Sequence, residues 1–119
     1  MPDSKTYTGG CHCGQVRFEC TSDLAVVTNC NCSICTKKGL HFTFLPPRSF
    51  QLRAGEENLK EYLFNKHAIR HQFCIDCGAE VFAYGKKPDG TDVVAVNVSC
   101  IDGIELSKLA MTPFDGRRL

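Results

Sequence analysis

The chain has 119 residues, of which 43% are hydrophobic and 23% charged, and its formal net charge is +1. That length suits one domain, residues 1–119, with a real core and little room for a second. Near-neutral charge argues against broad phosphate-driven nucleic-acid binding, and no apolar run reaches the roughly 18 residues of a membrane span.

The opening MPDSKTYTGG has neither a basic n-region nor an apolar h-region, so a cytoplasmic location is expected. Short runs rich in Val, Phe and Tyr, separated by turn residues, then predict a mainly β fold. QVRFEC alternates, with Val16, Phe18 and Cys20 on one face and Gln15, Arg17 and Glu19 on the other. LAVVTN, HFTFL and SFQL follow as strands, the last two separated by Pro46-Pro47, which breaks the ladder between them. LKEYLF reads as a strand in preference to a helical turn, and IRHQF continues the pattern. AEVFAY and TDVVAVNVSC form a hairpin across KKPDG, whose Pro-Asp-Gly is a turn signal. The second strand of that hairpin sets Val94, Val96, Val98 and Cys100 on one face. ELSKL, near the end, has a short helical pattern.

Nine cysteines in 119 residues are the anomaly. An odd count, CxC and CxxC spacings and no secretion signal point to metal or catalysis rather than disulfides. Cys11-His12-Cys13-Gly14 and Cys74-Ile75-Asp76-Cys77-Gly78 each place glycine directly after the last thiol. A glycine there lets the chain turn sharply and aims backbone N–H groups at sulfur, which stabilises thiolate charge. Two such knuckles, brought together by the sheet, supply four thiolates for a closed structural zinc site that ties the two halves of the domain together. Cys20 and Cys100 fall on apolar strand faces and read as core packing. Either could still serve as a fourth ligand, Cys100 at its strand end more readily.

Cys30, Cys32 and Cys35, in NCNCSICTKKG, have no partner knuckle. Three protein ligands with an open fourth position is how catalytic zinc is held. The alternatives are a second structural zinc closed by a distant Cys or His, and a reactive thiol cluster. Lys37 and Lys38 follow at once. Ammonium groups there would stabilise a tris-thiolate zinc and could hold the carboxylates of an anionic thiol; the plain alternative is two solvated loop lysines. Seven thiolates with two Zn2+ ions would leave the domain slightly acidic. Among the histidines, His12 is expected to point away from metal and His41 to line a substrate site. His67 reads as a loop residue and His71 as a hydrogen-bonded core or cleft histidine.

The order CxCG, then CxCxxC with basic residues and glycine, then FCxxCG, resembles the glutathione-dependent formaldehyde-activating enzyme family, also called the centromere protein V-like family. The similarity runs from GGCHCGQVRFEC through NCNCSICTKKG and FCIDCGAEVF to VNVSCIDGIELSKL and FDGR. It implies an Mss4-like β-tent of short antiparallel sheets stapled by zinc. It also implies a structural zinc on Cys11, Cys13, Cys74 and Cys77, and a second, catalytic or labile zinc on Cys30, Cys32 and Cys35. The implied reaction is that of a carbon–sulfur lyase joining formaldehyde and glutathione as S-hydroxymethylglutathione. Asn31 stands where the family commonly has histidine, and Thr36 precedes the basic pair. A second reading keeps the fold without the chemistry: a zinc-stapled module that binds a protein or chromatin. Only Lys37-Lys38, Lys86-Lys87 and Arg117-Arg118 offer it paired basic residues.

Overall fold

Period-two alternation decides the first sheet. β1 (Lys5–Gly10) and β2 (Arg17–Ser22) pair antiparallel, with Gly10 opposite Arg17 and Lys5 opposite Ser22. β2 turns Phe18 and Cys20 inward, each 1% exposed, and its free edge takes β5 (Phe50–Ala54). The computed structural model describes residues 4–30, 33–63, 69–87 and 89–114, with only the backbone at Cys30, Ser33 and Phe114. Cys32, His67, Pro88 and Arg117-Arg118 lie outside the described residues.

The second sheet has seven strands. In spatial order these are β10 (Met111–Phe114), β3 (Val27–Cys30), β4 (Phe42–Leu45), β9 (Asp92–Asn97), β8 (Glu80–Lys86), β7 (Arg70–Cys74) and β6 (Leu59–Leu63). Neighbours run antiparallel except β10 and β3, which are parallel, with Phe114 opposite Cys30. The expected antiparallel sheets are present, and the one parallel pair makes the second sheet mixed. LKEYLF is the strand β6, and ELSKL winds one 3-10 turn at Leu106–Lys108.

LAVVTN becomes strand only from Val27. Ahead of it, Ser22 Oγ accepts the Leu24 N–H at 3.0 Å and Asp23 Oδ1 accepts the Ala25 N–H at 2.9 Å. Such side-chain bonds offer the backbone an alternative to a ladder, and Leu24 takes a left-handed φ of 53°. In the β8–β9 hairpin, the Gly90 N–H donates to Lys87 O at 2.8 Å and Asp89 Oδ1 accepts the Thr91 N–H at 2.9 Å. Val94 and Val96 share a face of β9 as expected, and the opposite face is covered as well: every residue from Val93 to Val98 is buried. β9 is the middle strand of seven and is covered on both faces. Cys100 has left the strand by then and sits half-buried in the 3-10 turn Val98–Cys100.

The two covers differ in size. On one face the three-stranded sheet packs Phe18, Cys20 and Phe50 against Phe82, Val94 and Val96, with Phe50 4.7 Å from Phe82 and 5.5 Å from Phe18 between ring centroids. On the other face, among the described residues, lies α1 (Ser33–Lys38), where Ile34 and Cys35, with Leu40 beyond the helix, meet Phe42, Ala83 and Ala95. Among the described residues, no helix is long and apolar enough to cross a membrane.

Burial first, and Glu19 second, pushes the Cys20 thiol up to about 11. It packs as a neutral side chain. Cys20→Ala is expected to lower stability by about 1–2 kcal/mol through lost packing and to leave metal content unchanged. Urea unfolding and elemental analysis check both halves, and one fewer ion per chain would place Cys20 among the ligands.

Candidate metal centre and adjoining cavities

Cys11 and Cys13 follow β1 in the first sheet, while Cys74 ends β7 in the second and Cys77 sits in the next turn. Their four Sγ atoms lie within 4.8 Å of one another. Cys11 and Cys13 are 3.5 Å apart, and Cys13 and Cys74 are 3.6 Å apart. A tetrahedron with Zn–S bonds of about 2.3 Å has edges near roughly 3.8 Å, so this donor set fits a thiophilic ion.

The two knuckles are built alike. The Cys11 N–H donates to Val16 O at 3.1 Å and the Cys74 N–H to Ala79 O at 3.0 Å, the same five-residue span. Gly14 and Gly78 take φ of 85° and 77°. An added Cβ at either would meet nothing within 4 Å, so the left-handed backbone, rather than lack of space, calls for glycine. Asp76 Oδ2 pins the knuckles together by accepting from Gln15 Nε2 and from Asn58 Nδ2, both at 2.7 Å.

Backbone donors shape the thiol acidities. The Ala79 N–H pulls Cys77 down to about 6. Burial raises Cys11, but the Val16 N–H, 3.3 Å from its sulfur, and the Cys13 and Cys74 thiols outweigh it and leave the group lowered. At Cys13 the Gln15 N–H pulls down, yet burial and the three neighbouring thiols hold it up at about 12. Four close sulfurs cannot all carry charge against one another, and a cation relieves that repulsion. Cys100 stands outside the cluster: burial first, then the charges of Cys11 and Cys77, pushes it up to about 11, and its Sγ donates to Glu80 O at 3.5 Å. His12 is exposed and contributes no ligand to the group.

Of the other three cysteines, Cys35 lies buried on α1, 6% exposed. Cys30 closes the backbone of β3, and its side chain, like Cys32, lies outside the described residues. Lys37 is exposed. Lys38 instead donates from Nζ to Glu80 Oε1 at 3.0 Å and rides 4.7 Å above the Phe73 ring. Glu80 Oε2 in turn is 2.6 Å from His71 Nδ1, with the two side chains only 1% and 2% exposed. The hydrogen-bonded buried histidine was legible in the sequence. Glu80 was not singled out, although a lone carboxylate opening the apolar run EVFAY is a signal, because a buried charge needs partners.

Two cavities flank α1. An open cleft of about 580 Å3 is lined by Cys11, Lys38, Leu40, Glu80, Asn97 and Cys100, among others. A chamber of about 150 Å3 adjoins Cys35 and His71. His41 is half-buried and lines neither cavity; its carbonyl accepts the Val98 N–H at 2.9 Å.

Two outcomes are expected. Cys77→Ser should lose the ion and the fold together, since binding at such a site is folding free energy on the order of 10 kcal/mol; circular dichroism with and without chelator checks this. Lys38→Met should cost about 1–3 kcal/mol because it strips a partner from buried Glu80, whereas Lys37→Met should stay within about 0.5 kcal/mol. Urea midpoints decide between them.

The sequence profile of the glutathione-dependent formaldehyde-activating enzyme family matches residues 6–114. The crystal structure of a Rhodobacter sphaeroides protein superimposes with a TM-score of 0.78 at 28% identity, covering 89% of this chain and 97% of that one. The family match takes in both knuckles, α1 and at least part of every strand, and the chain belongs to the glutathione-dependent formaldehyde-activating enzyme family.

Proposed function

We propose that the chain is a zinc-dependent enzyme of the carbon–sulfur lyase type, making and breaking adducts between a small thiol, glutathione or a relative, and a small aldehyde. Cys11, Cys13, Cys74 and Cys77 would hold one zinc as a staple, and Cys30, Cys32 and Cys35 a second. The second ion would supply Lewis acidity that favours a thiolate at neutral pH. The observation that carries the reading is the placement of Cys35. Within a chain of this family, it lies buried against the sheet on a six-residue helix whose last residue, Lys38, is fixed to Glu80 beside an open cleft.

The reaction balances without an oxidant or reductant. The thiol sulfur adds to the carbonyl carbon, the C–S bond forms, and the carbonyl π pair moves to oxygen, which takes the proton given up by the thiol. The reverse step breaks the same bond and returns that proton to sulfur. The cleft of about 580 Å3 has room for the body of a tripeptide thiol. Lys38 on its wall and exposed Lys37 beside it would face carboxylates of that thiol. Positioning the two reactants is the main contribution of the protein, because holding them together replaces an encounter in solution.

Exchange NMR of formaldehyde with glutathione is the test. Wild type should speed exchange saturably over buffer. Cys32→Ser should abolish the effect while keeping the fold and one zinc per chain. Lys37→Ala should weaken glutathione binding roughly tenfold with zinc retained. No acceleration with any of several thiols, in protein holding two zinc ions, would overturn the reading.

A further inference from the structure

The chamber beside Cys35 has an origin in the sequence. Ala83 and Ala95 are directly paired across β8 and β9, and Gly85 lies two residues on from Ala83, on the same face. Three small residues are thus grouped on one face of the sheet. Six-residue α1 does not fill the hollow they leave. Phe42, Phe44, Ile69 and Val93 complete apolar walls, with Phe44 50% and Ile69 45% exposed at the rim. Five side chains with polar atoms share this lining, Thr28, Cys35, His71, Tyr84 and Lys86, and the His71 ring is fixed by its bond of 2.6 Å to Glu80. An apolar pocket with a few fixed polar groups is the usual form of a small-molecule site.

We infer that this chamber receives the apolar substituent of the aldehyde, so that the preferred carbonyl substrates are compact apolar aldehydes, branched or aromatic, rather than formaldehyde alone. The inference rests on the carbon–sulfur reading above and names the substrate class for it. Formaldehyde carries only hydrogens on its carbonyl carbon and would leave about 150 Å3 of apolar space unfilled. A dry apolar cavity of about that volume accepts a benzene-sized guest. Placing the substituent there sets the carbonyl carbon at the Cys35 side of the chamber, where the thiol sulfur adds to it. The oxygen then takes the thiol proton, as in the parent reaction. Each methylene moved from water into the chamber should raise kcat/KM roughly fourfold until the space is full.

Two measurements test this. The first is binding of fluorobenzene, which has no carbonyl, followed by 19F NMR on the zinc-loaded chain. Wild type should broaden the line saturably, and Ala95→Leu, which fills the hollow, should weaken binding at least tenfold. Gly85→Ala is the milder variant should Ala95→Leu not fold, since its Cβ would meet Val93 Cγ1 at 3.7 Å and Ile69 Cγ1 at 3.8 Å, both ordinary contacts. The second is kcat/KM with glutathione fixed and the aldehyde varied from formaldehyde through isobutyraldehyde to benzaldehyde, beside a series that varies the thiol. The benzaldehyde-to-formaldehyde ratio should exceed ten in wild type and fall at least tenfold on filling the chamber. Absence of fluorobenzene binding, formaldehyde turnover with no gain for larger aldehydes, or a preference that follows the thiol instead would overturn this inference alone. No turnover of any aldehyde with two zinc ions bound would overturn the enzyme reading, and this inference with it.

Discussion

Four sulfur atoms, two following a strand of each sheet, meet at one point, and an ion bound among them would tie the two sheets together. Cys13 and Cys74 stand 61 residues apart in the chain and 3.6 Å apart in space. Closing a loop of that length removes roughly 4 kcal/mol of conformational entropy from the unfolded chain on the cross-link model. That is comparable to much of the net stability of a small domain. Each knuckle aims N–H groups at sulfur and turns away on a left-handed glycine, and Asp76 joins the two through Gln15 and Asn58. No large side chain is needed to shape the cluster. The four-thiol cluster can therefore form wherever β1 and β7 end side by side, and an ion bound there would fix how the two sheets are set against each other.

On the opposite face a second constraint operates with different chemistry. Glu80 is a carboxylate inside the protein, and it is tolerable there because His71 and Lys38 come to it from β7 and α1. One ionic contact thereby anchors a helix too short to be stable by itself. The Lys38 stem lies over Phe73, so the ammonium is held by an aromatic face as well as by charge. The position of Cys35 depends on that anchoring. The thiol cluster and the carboxylate are thus linked through the same strands, since Glu80 opens β8 directly after the second knuckle.

Much of this was written in the sequence where chemistry is local. Cys11, Cys13, Cys74 and Cys77 were legible as a set because CxCG and CxxCG fix both ligand spacing and the turn that follows. Val16, Phe18 and Cys20 were legible because strict alternation names the buried face. Legibility failed where meaning depends on a partner far along the chain. Glu80 looks like one more charge until His71 and Lys38 converge on it. Lys38 looks like the twin of Lys37 until, among the described residues, Glu80 pairs with Lys38 alone of the two. β9 looks one-faced because nothing in TDVVAVNV says that it will occupy the middle of the sheet. The hollow at Ala83, Gly85 and Ala95 was invisible for the same reason: it is made of residues that are small, and their adjacency exists only after β8 and β9 align.

The parallel pairing of β10 with β3 has a temporal consequence. β3 leads straight into the CxCxxC segment, and its outer edge is satisfied only by a strand made at the far end of the described chain, with Phe114 opposite Cys30. Contacts between such distant segments form late, because loop closure must come before they add stability. During synthesis the first knuckle is exposed early and its partner emerges well before β10 does. The four-thiol cluster can therefore assemble on a growing chain while the platform under Cys30 is still unpaired on one side. Assembly on the ribosome then has an order, with the thiol cluster and the Lys38–Glu80 contact available before β10 closes the outer edge of β3.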